Sequence, residues 1–130
     1  MNINKRKIGT ICEEAVSKFL KENGFTISVQ NYRNGFRNST EIDIVAEKNK
    51  VLHFIEVKAR SSNLYGTPAE AVSPAKMKNI IKASEFFIKQ SNGYHRERSY
   101  DIAEVYFSNT EEMKNIKIEK IKMIFSAYYK

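Results

Sequence analysis

Two neighbouring β-rich runs, residues 41–47 and 51–58, constrain the fold of this chain more than any other feature of its sequence. Both runs are dominated by β-branched and other apolar residues in alternation with polar ones, and only a short polar break separates them. Such runs, joined by so few residues, predict a β-hairpin. The break carries Asn49 but no Gly, so the sequence leaves the type of turn open.

Helices are predicted on both sides of this hairpin. Residues 5–22 carry apolar side chains at helical spacing and end before Asn23-Gly24, where Gly can take the left-handed conformation beyond the last turn. Ser73 can cap a second helix, and Pro74 suits its first position because that position needs no amide hydrogen. This second helix is predicted to end at Asn92-Gly93.

The other predicted segments are a strand at 25–33, a loop at 34–39, an irregular stretch at 60–72, strands at 100–107 and 116–121, and a tail at 124–129 that fits either a strand end or a short helix. This order predicts one α/β domain over residues 1–130, with a mixed central sheet flanked by helices on its faces. The sequence shows no internal repeat, low-complexity tract or linker.

The charge balance favours a polyanionic partner. The chain has 22 Lys and Arg against 15 Asp and Glu, a formal net charge of +7. Basic residues that neutralise phosphates release counterions, which suits nucleic acid, although many basic proteins bind none. The single cysteine, Cys12, excludes an internal disulfide framework. Because no secretory signal or membrane span is recognisable, we predict a soluble, cytoplasmic protein.

Acidic side chains fall on one predicted face of the hairpin. Alternation places Asp43 beside Glu41 on one face of the first strand, with Ile42 and Ile44 on the other face. It places Glu56 beside Lys58 on the second strand. If Asn49-Lys50 is a two-residue loop, Asp43 lies opposite Glu56 and Glu41 lies opposite Lys58. Directly opposed side chains have Cβ atoms about 4.5–5.5 Å apart. The register therefore predicts a pair of carboxylates with a lysine one step away.

This predicted pair has two interpretations. Like charges directly opposed destabilise a sheet, and a hard cation such as Mg²⁺ relieves the repulsion, because it binds one or two carboxylates together with waters and phosphate oxygens. Lys58 would then hold an attacking water or neutralise charge on a phosphate. In the other interpretation the charges only solvate an exposed strand face, and Glu41 with Lys58 is an ordinary cross-strand pair.

At these residues the sequence resembles the PD-(D/E)xK nuclease superfamily, whose signature is an acid, a gap, and then acid-x-Lys. The similarity is closer to the YraN-type family of small bacterial proteins, which resemble archaeal Holliday-junction resolvases. The family's motifs read here as Gly9-Thr10-Ile11-Cys12-Glu13-Glu14-Ala15, Asn31-Tyr32-Arg33, Thr40-Glu41-Ile42-Asp43, Glu56-Val57-Lys58, Gly66-Thr67-Pro68, Lys76 and Arg98-Ser99-Tyr100-Asp101. Two family glycines are replaced, by Cys12 and Thr40, which changes local backbone geometry rather than the acidic centre.

The resemblance implies a three-layer, restriction-endonuclease-like sandwich and a metal-dependent endonuclease that uses Mg²⁺ or Mn²⁺. It implies that Glu13, Asp43 and Glu56 hold the metal, that Lys58 assists catalysis and that Glu41 supports the site. The implied substrate is nucleic acid, DNA rather than RNA, with branched or structured DNA included, and the resolvase relatives imply by analogy a homodimer. A nucleic-acid-binding module that keeps the fold and has lost turnover remains the alternative.

Phosphate contacts are predicted for basic residues that flank the acidic hairpin. Lys76 is the strongest candidate, because it lies in the first turn of a helix, where amides also favour anions. The other candidates are Arg33, Arg37, Arg60 and Lys78. Tyr32 and Tyr65 can either stack on bases or pack in the fold.

Several residues are predicted to take no part in chemistry. His53 is predicted to point away from the acidic face, which argues against a zinc site. Cys12 is predicted to be a small core residue and Asp101 a structural one. No Ser-His-Asp arrangement is recognisable in the sequence.

Overall fold

A five-stranded mixed sheet separates two helices in the computed structural model, which describes residues 5–35, 40–61, 73–91, 97–109 and 116–126. The elements are α1 (Lys5–Glu22), β1 (Thr26–Tyr32), β2 (Ile42–Lys48), β3 (Val51–Ser61), α2 (Pro74–Gln90), β4 (Glu97–Asn109) and β5 (Ile116–Ile124). The strand order is β1-β2-β3-β4-β5, and every neighbouring pair is antiparallel except β3 and β4. Because β3 and β4 are parallel, a crossover containing α2 connects them.

Each helix covers one face of the sheet, so the predicted three-layer α/β sandwich is confirmed. The core between α1 and the sheet consists of Cys12, Val16, Leu20, Phe25, Ile44, Ala46, Ile55, Ala103, Val105 and Phe107. The core between α2 and the sheet consists of Ile42, Val45, Leu52, Phe54, Met77, Ile80, Ala83, Ile88 and Ile102. Cys12 is a core residue, as predicted, and burial raises the pKa of its thiol to about 11.

The predicted helix starts are confirmed, whereas several strands are longer than predicted. Helix α1 spans the predicted residues, and α2 begins at Pro74, with the hydroxyl of Ser73 accepting the amide of Lys76. Strand β3 continues to Ser61, into the stretch predicted to be irregular, because its parallel pairing with β4 supplies hydrogen bonds that the sequence pattern does not show. Arg37, Tyr65, the Gly66-Thr67-Pro68 motif and Asn92-Gly93 lie outside the described residues.

The β2–β3 hairpin has the predicted register. Lys48 pairs with Val51 across a two-residue turn of Asn49 and Lys50, and the ladder continues to the pair Ile44 and Ile55. The two turn residues have φ values of 52° and 66°, as in a type I′ turn. The sequence left the turn type open; the structure shows a type I′ turn in which Asn49 and Lys50 both adopt a left-handed conformation.

The strain at Lys50 gives a stability prediction. Lys50→Gly is expected to raise the free energy of unfolding by about 1 kcal/mol, because a left-handed conformation is unfavourable for residues with a Cβ. Urea denaturation of the two proteins measures the change. Lys82→Gly, at an exposed position inside α2, is the control and is expected to destabilise by about 1 kcal/mol. A loss of stability in Lys50→Gly would contradict the prediction.

Candidate acidic site

Where the hairpin ladder ends, the side-chain carboxylate of Asp43 accepts a hydrogen bond from β3 in place of a backbone carbonyl. Beyond the pair Ile44 and Ile55, Asp43 Oδ2 accepts the amide hydrogen of Val57 at 2.8 Å. Because a side chain replaces the ladder there, the alternation of β2 breaks at its first residue. Ile42 was predicted on the face of Ile44; this is wrong, since Ile42 packs in the α2 core while Ile44 packs in the α1 core.

Glu56 is the second carboxylate of the predicted pair. In the observed register, Asp43 and Glu56 are the residues that follow the last ladder pair. Glu56 is buried, with 6% of its surface exposed, and its Oε2 lies 2.5 Å from the ammonium of Lys76. The first turn of α2 therefore lies on the acidic hairpin, and Lys76 is at the predicted centre rather than beside it.

The two carboxylates interact electrostatically. Burial, followed by the charge of Glu56, raises the pKa of Asp43 from 3.8 to about 7, against the lowering effect of the Val57 amide. The charge of Glu13 raises it further and that of Lys76 lowers it. Two acids are thus held in a half-buried place where one lysine only partly offsets their repulsion.

The pKa of Lys76 is also raised, which for a lysine favours the charged form. Burial of its ammonium alone would lower its pKa. The hydrogen bond and the charge of Glu56, with smaller contributions from Asp43 and Glu41, outweigh that effect and raise the pKa. Lys76 therefore stays charged and acts as the counter-ion of the acidic hairpin in this structure.

The three remaining predicted site residues surround this pair. Lys58 is half-buried and lies two residues beyond Glu56 on the same face of β3. Glu41 does not pair with Lys58 as predicted, because β2 begins at Ile42 and its ladder with β3 ends before that point. Glu13 accepts a hydrogen bond from the side-chain amide of Asn31 at 3.1 Å.

Glu104 is a further acid near this site, and no sequence pattern singles it out. It is buried, with 3% of its surface exposed, and it is the β4 partner of Lys58 in the parallel ladder. Its carboxylate lies 3.5 Å from the guanidinium of Arg60 and accepts the hydroxyl of Tyr106 at 3.2 Å. Because this proximity depends on the register between β3 and β4, no local sequence signal could have shown it.

The basic and aromatic candidates differ in their surroundings. The side chain of Arg60 is only 16% exposed and pairs with Glu104, whereas Arg33 and Lys78 are exposed. Tyr32 packs edge-on against Phe87, and its hydroxyl donates to Gln90 at 2.9 Å, so it is a packing residue here. Burial raises its pKa.

The donor set at this site is small. Within the described ranges, no three His, Cys, Asp or Glu side chains converge closely enough to hold one ion together. Asp43 and Glu56 are nevertheless two oxygen ligands brought together by one hairpin. Such a set fits Mg²⁺ or Mn²⁺, which complete their coordination with waters and phosphate oxygens.

A second polar cluster joins His53 of β3 with Ser99 and Asp101 of β4. His53 points away from Glu56, as predicted, and its Nδ1 lies 2.6 Å from Oδ2 of the buried Asp101. The hydroxyl of Ser99 donates to the other oxygen of Asp101. These are the residue types of a catalytic triad, but Ser99 contacts Asp101 and is not hydrogen-bonded to the histidine, so the order is not that of a triad.

Sheet, helices and acidic hairpin together define a small three-layer α/β protein whose distinctive site is a carboxylate pair with a bound lysine. Neither helix in the described part of the chain has the length and apolarity needed to cross a bilayer. A family model matches residues 12–105, and the chain belongs to that family, the uncharacterised protein family UPF0102, which is the YraN-type family that the sequence resembles.

Relatives in several bacteria match over nearly their whole length. A UPF0102 protein of Acetivibrio thermocellus is 36% identical over 125 residues, which cover 96% of this chain and 93% of the relative. One of Desulforapulum autotrophicum is 38% identical over 127 residues, covering 98% and 99%. One of Clostridium botulinum is 37% identical over 120 residues, covering 92% and 94%.

Proposed function

We propose that this protein is a metal-dependent endonuclease that hydrolyses phosphodiester bonds in nucleic acid at the acidic hairpin. The observation that carries the proposal is the carboxylate pair of Asp43 and Glu56, which burial and mutual repulsion make unfavourable enough to raise the pKa of Asp43 to about 7. Such a pair of charged carboxylates destabilises the folded protein unless a cation or a proton neutralises it. Perturbed acids in one cluster are typical of functional sites.

The cation we propose is Mg²⁺ or Mn²⁺, bound directly by Asp43 and Glu56 and through water by Glu13. When bound, such an ion activates water and polarises the phosphoryl group. The alternative of a zinc site lacks support in the described residues, because His53 lies on the opposite face of β3 and is bonded to Asp101.

The protein's own side chains would orient the reactants. Lys58, on the same strand face as Glu56, would hold the attacking water or neutralise charge that develops on the phosphate. Lys76 is a second cation at the site and can exchange Glu56 for a phosphate oxygen when nucleic acid enters. Glu41, whose charge acts on Lys76, would support that exchange.

The net charge of +7 supports a nucleic-acid substrate. We favour DNA over RNA, and branched DNA in particular, because of the resemblance to resolvases. The same resemblance favours a homodimer. Arg33, exposed at the end of β1, and Lys76 are the proposed phosphate contacts among the described residues, and Arg60 contributes only if it leaves Glu104.

A binding module without turnover is the second candidate, and one contact favours it. The ammonium of Lys76 lies 2.5 Å from Glu56, so a protein cation already neutralises one of the two acids. In such a module the acids would orient Lys76 toward phosphates, and no metal would be required.

Calorimetric titration with Mn²⁺ separates these candidates. The wild type and the Asp43→Asn/Glu56→Gln variant are titrated with and without a branched DNA. Under the endonuclease proposal, the wild type binds Mn²⁺ and the variant does not, and only the wild type cleaves the DNA. Folded wild-type protein that binds no metal in either condition would overturn the proposal and leave the binding module.

Lys76 gives a prediction that holds for both candidates. Lys76→Gln is expected to weaken DNA binding in EDTA and to lower the slope of log K against log salt by about one, because one phosphate contact is lost. Fluorescence anisotropy at several salt concentrations measures both quantities. Lys82→Gln, at an exposed position further along the same helix, is the matched control. Equal slopes in the wild type and in Lys76→Gln would place the nucleic-acid surface elsewhere.

A further inference from the structure

A cavity of about 730 Å³ lies at the turn end of the β2–β3 hairpin, on the side of the sheet that α1 covers. Its walls come from the end of α1, the turn between α1 and β1, the hairpin turn with the start of β3, the start of β4, and the end of β5 with the residues after it. Its volume falls within the range of small-molecule sites, roughly 300–1,000 Å³. The acidic hairpin is not part of it, because Glu56 lies on the α2 face of β3 and His53, which lines the cavity, lies on the α1 face.

Two phenylalanine rings and a histidine form the apolar part of this cavity. The rings of Phe25 and Phe125 are nearly parallel, at 6° and 6.4 Å between centroids, and the ring of His53 stands edge-on to both, at 5.1 Å and 5.6 Å. Phe125 is 50% exposed and is the only large exposed apolar side chain among the described residues. An exposed aromatic ring beside a cavity offers a face on which a planar ligand can stack.

Asp101 holds His53 in one orientation within this cavity. The Asp101 carboxylate, 2% exposed, accepts hydrogen bonds from the Ser99 hydroxyl, the Ser126 amide and Nδ1 of His53. Because a carboxylate only accepts, Nδ1 carries the hydrogen, and in the neutral imidazole Nε2 then has a lone pair that can accept. Nε2 has no hydrogen-bond partner in the described part of the chain. The cavity therefore presents a pre-oriented acceptor between aromatic surfaces.

One cationic group lies at the wall of the cavity. The ammonium of Lys48 lies 5.1 Å from the centre of the Phe25 ring and donates to the Asn23 carbonyl at 2.8 Å. Glu97 and Arg98 also line the cavity, but Arg98 is the β4 partner of Leu52, which packs in the α2 core. Lys48 favours a ligand with an anionic group next to its planar part.

We propose that this cavity binds a nucleotide, with the base stacked on Phe125, a base N–H donating to Nε2 of His53, and the phosphate near Lys48. The nucleotide is either a free mononucleotide or an unpaired nucleotide of a nucleic-acid strand. The proposal does not rest on cleavage at the acidic hairpin, since the two sites share no residue and face opposite sides of β3. The competing explanation is that Asp101 only ties β3, β4 and the segment after β5 together.

An NMR titration in EDTA tests the proposal without involving the acidic hairpin. AMP, a short oligothymidylate and benzoate are added to protein labelled with ¹⁵N, and the His53 Nε2 resonance is followed. We expect a saturable shift with AMP, with the oligothymidylate or with both. A shift with AMP indicates a free nucleotide as the ligand, and a shift with the oligothymidylate alone indicates an unpaired nucleotide of a strand. No saturable shift with either, or a benzoate affinity equal to that for the nucleotide, would overturn the proposal.

Two variants test the named contacts. Phe125→Ala is expected to weaken binding about 5- to 150-fold, because base–aromatic stacking is worth about 1–3 kcal/mol. Lys48→Met is expected to weaken binding and its salt dependence, whereas Lys117→Met, an exposed lysine on β5, changes neither. A purely structural role of the cluster predicts the same affinity in Phe125→Ala as in the wild type, and that result would refute the proposed stacking.

Discussion

Asp43→Asn is expected to stabilise the metal-free protein at pH 8 by about 2–4 kcal/mol and to reduce Mg²⁺-dependent cleavage more than about a hundredfold. The stabilisation follows from the pKa of Asp43, which burial and Glu56 raise from 3.8 to about 7. Ionising this carboxyl is unfavourable in the folded protein, and asparagine has the same shape without the charge. Its amide oxygen can still accept the amide hydrogen of Val57.

The raised pKa of Asp43 also determines how the free energy of unfolding changes with pH. A group whose pKa is raised by folding stabilises the fold fully below its unfolded value, here about 3.8, and this stability is lost as the pH rises through about 7. The wild type is therefore expected to lose stability between pH 4 and pH 7 by more than the asparagine variant does. The two proteins should differ little at pH 4 and most at pH 8.

Urea denaturation in EDTA across this pH range measures the effect, and a cleavage assay with Mg²⁺ measures the loss of activity. Glu22→Gln, an exposed acid at the end of α1, is the matched control and is expected to change neither quantity. If the asparagine variant is less stable than the wild type at pH 8, that result would contradict the inferred repulsion between the carboxylates of Asp43 and Glu56. Undiminished cleavage by the purified variant would remove Asp43 from the proposed site.

Phe54→Ala is expected to destabilise the protein by about 3–5 kcal/mol, because Phe54 is 1% exposed and fills the core between α2 and the sheet. Its ring contacts Phe87 edge-on at 6.0 Å and stacks with Tyr100 at 5.5 Å. Since α2 carries Lys76, loosening this core is also expected to weaken the contact between Lys76 and Glu56.

Urea denaturation gives the loss of stability, and hydrogen exchange at the amides of α2 shows where it acts. Phe107→Ala, in the core on the α1 side, is the control. It removes a similar side chain and is expected to accelerate exchange in α1 rather than in α2. Equal exchange in α2 for both variants would show that Phe54 does not hold that helix.

The features that could be predicted from the sequence are those encoded by neighbouring residues. The bounds of α1 follow from its apolar spacing, and the hairpin register follows from alternation and a two-residue turn, so the juxtaposition of Asp43 and Glu56 was predictable. The assignment of Ile42 failed because the side chain of Asp43 replaces a backbone partner in the ladder. An alternating pattern cannot show such a substitution.

The contacts that could not be predicted depend on the crossover between β3 and β4. Glu104 is next to Lys58, and Asp101 is bonded to His53, only because the two strands are parallel in one particular register. The contact of Lys76 with Glu56 likewise requires α2 to pack across β2 and β3. Each pairing joins residues far apart in the chain, for which a single sequence carries no positional signal.

The type I′ hairpin has a consequence for the order of folding. Asp43 and Glu56 are joined by the shortest connection in the sheet, whereas the pairing of β3 with β4 requires closure of a much longer loop. Hairpins form in about 1–10 μs, and long-range parallel pairing is slower because loop closure costs entropy before contacts form. The carboxylates are therefore expected to meet early, so that their repulsion is present in the folding transition state and slows refolding at high pH.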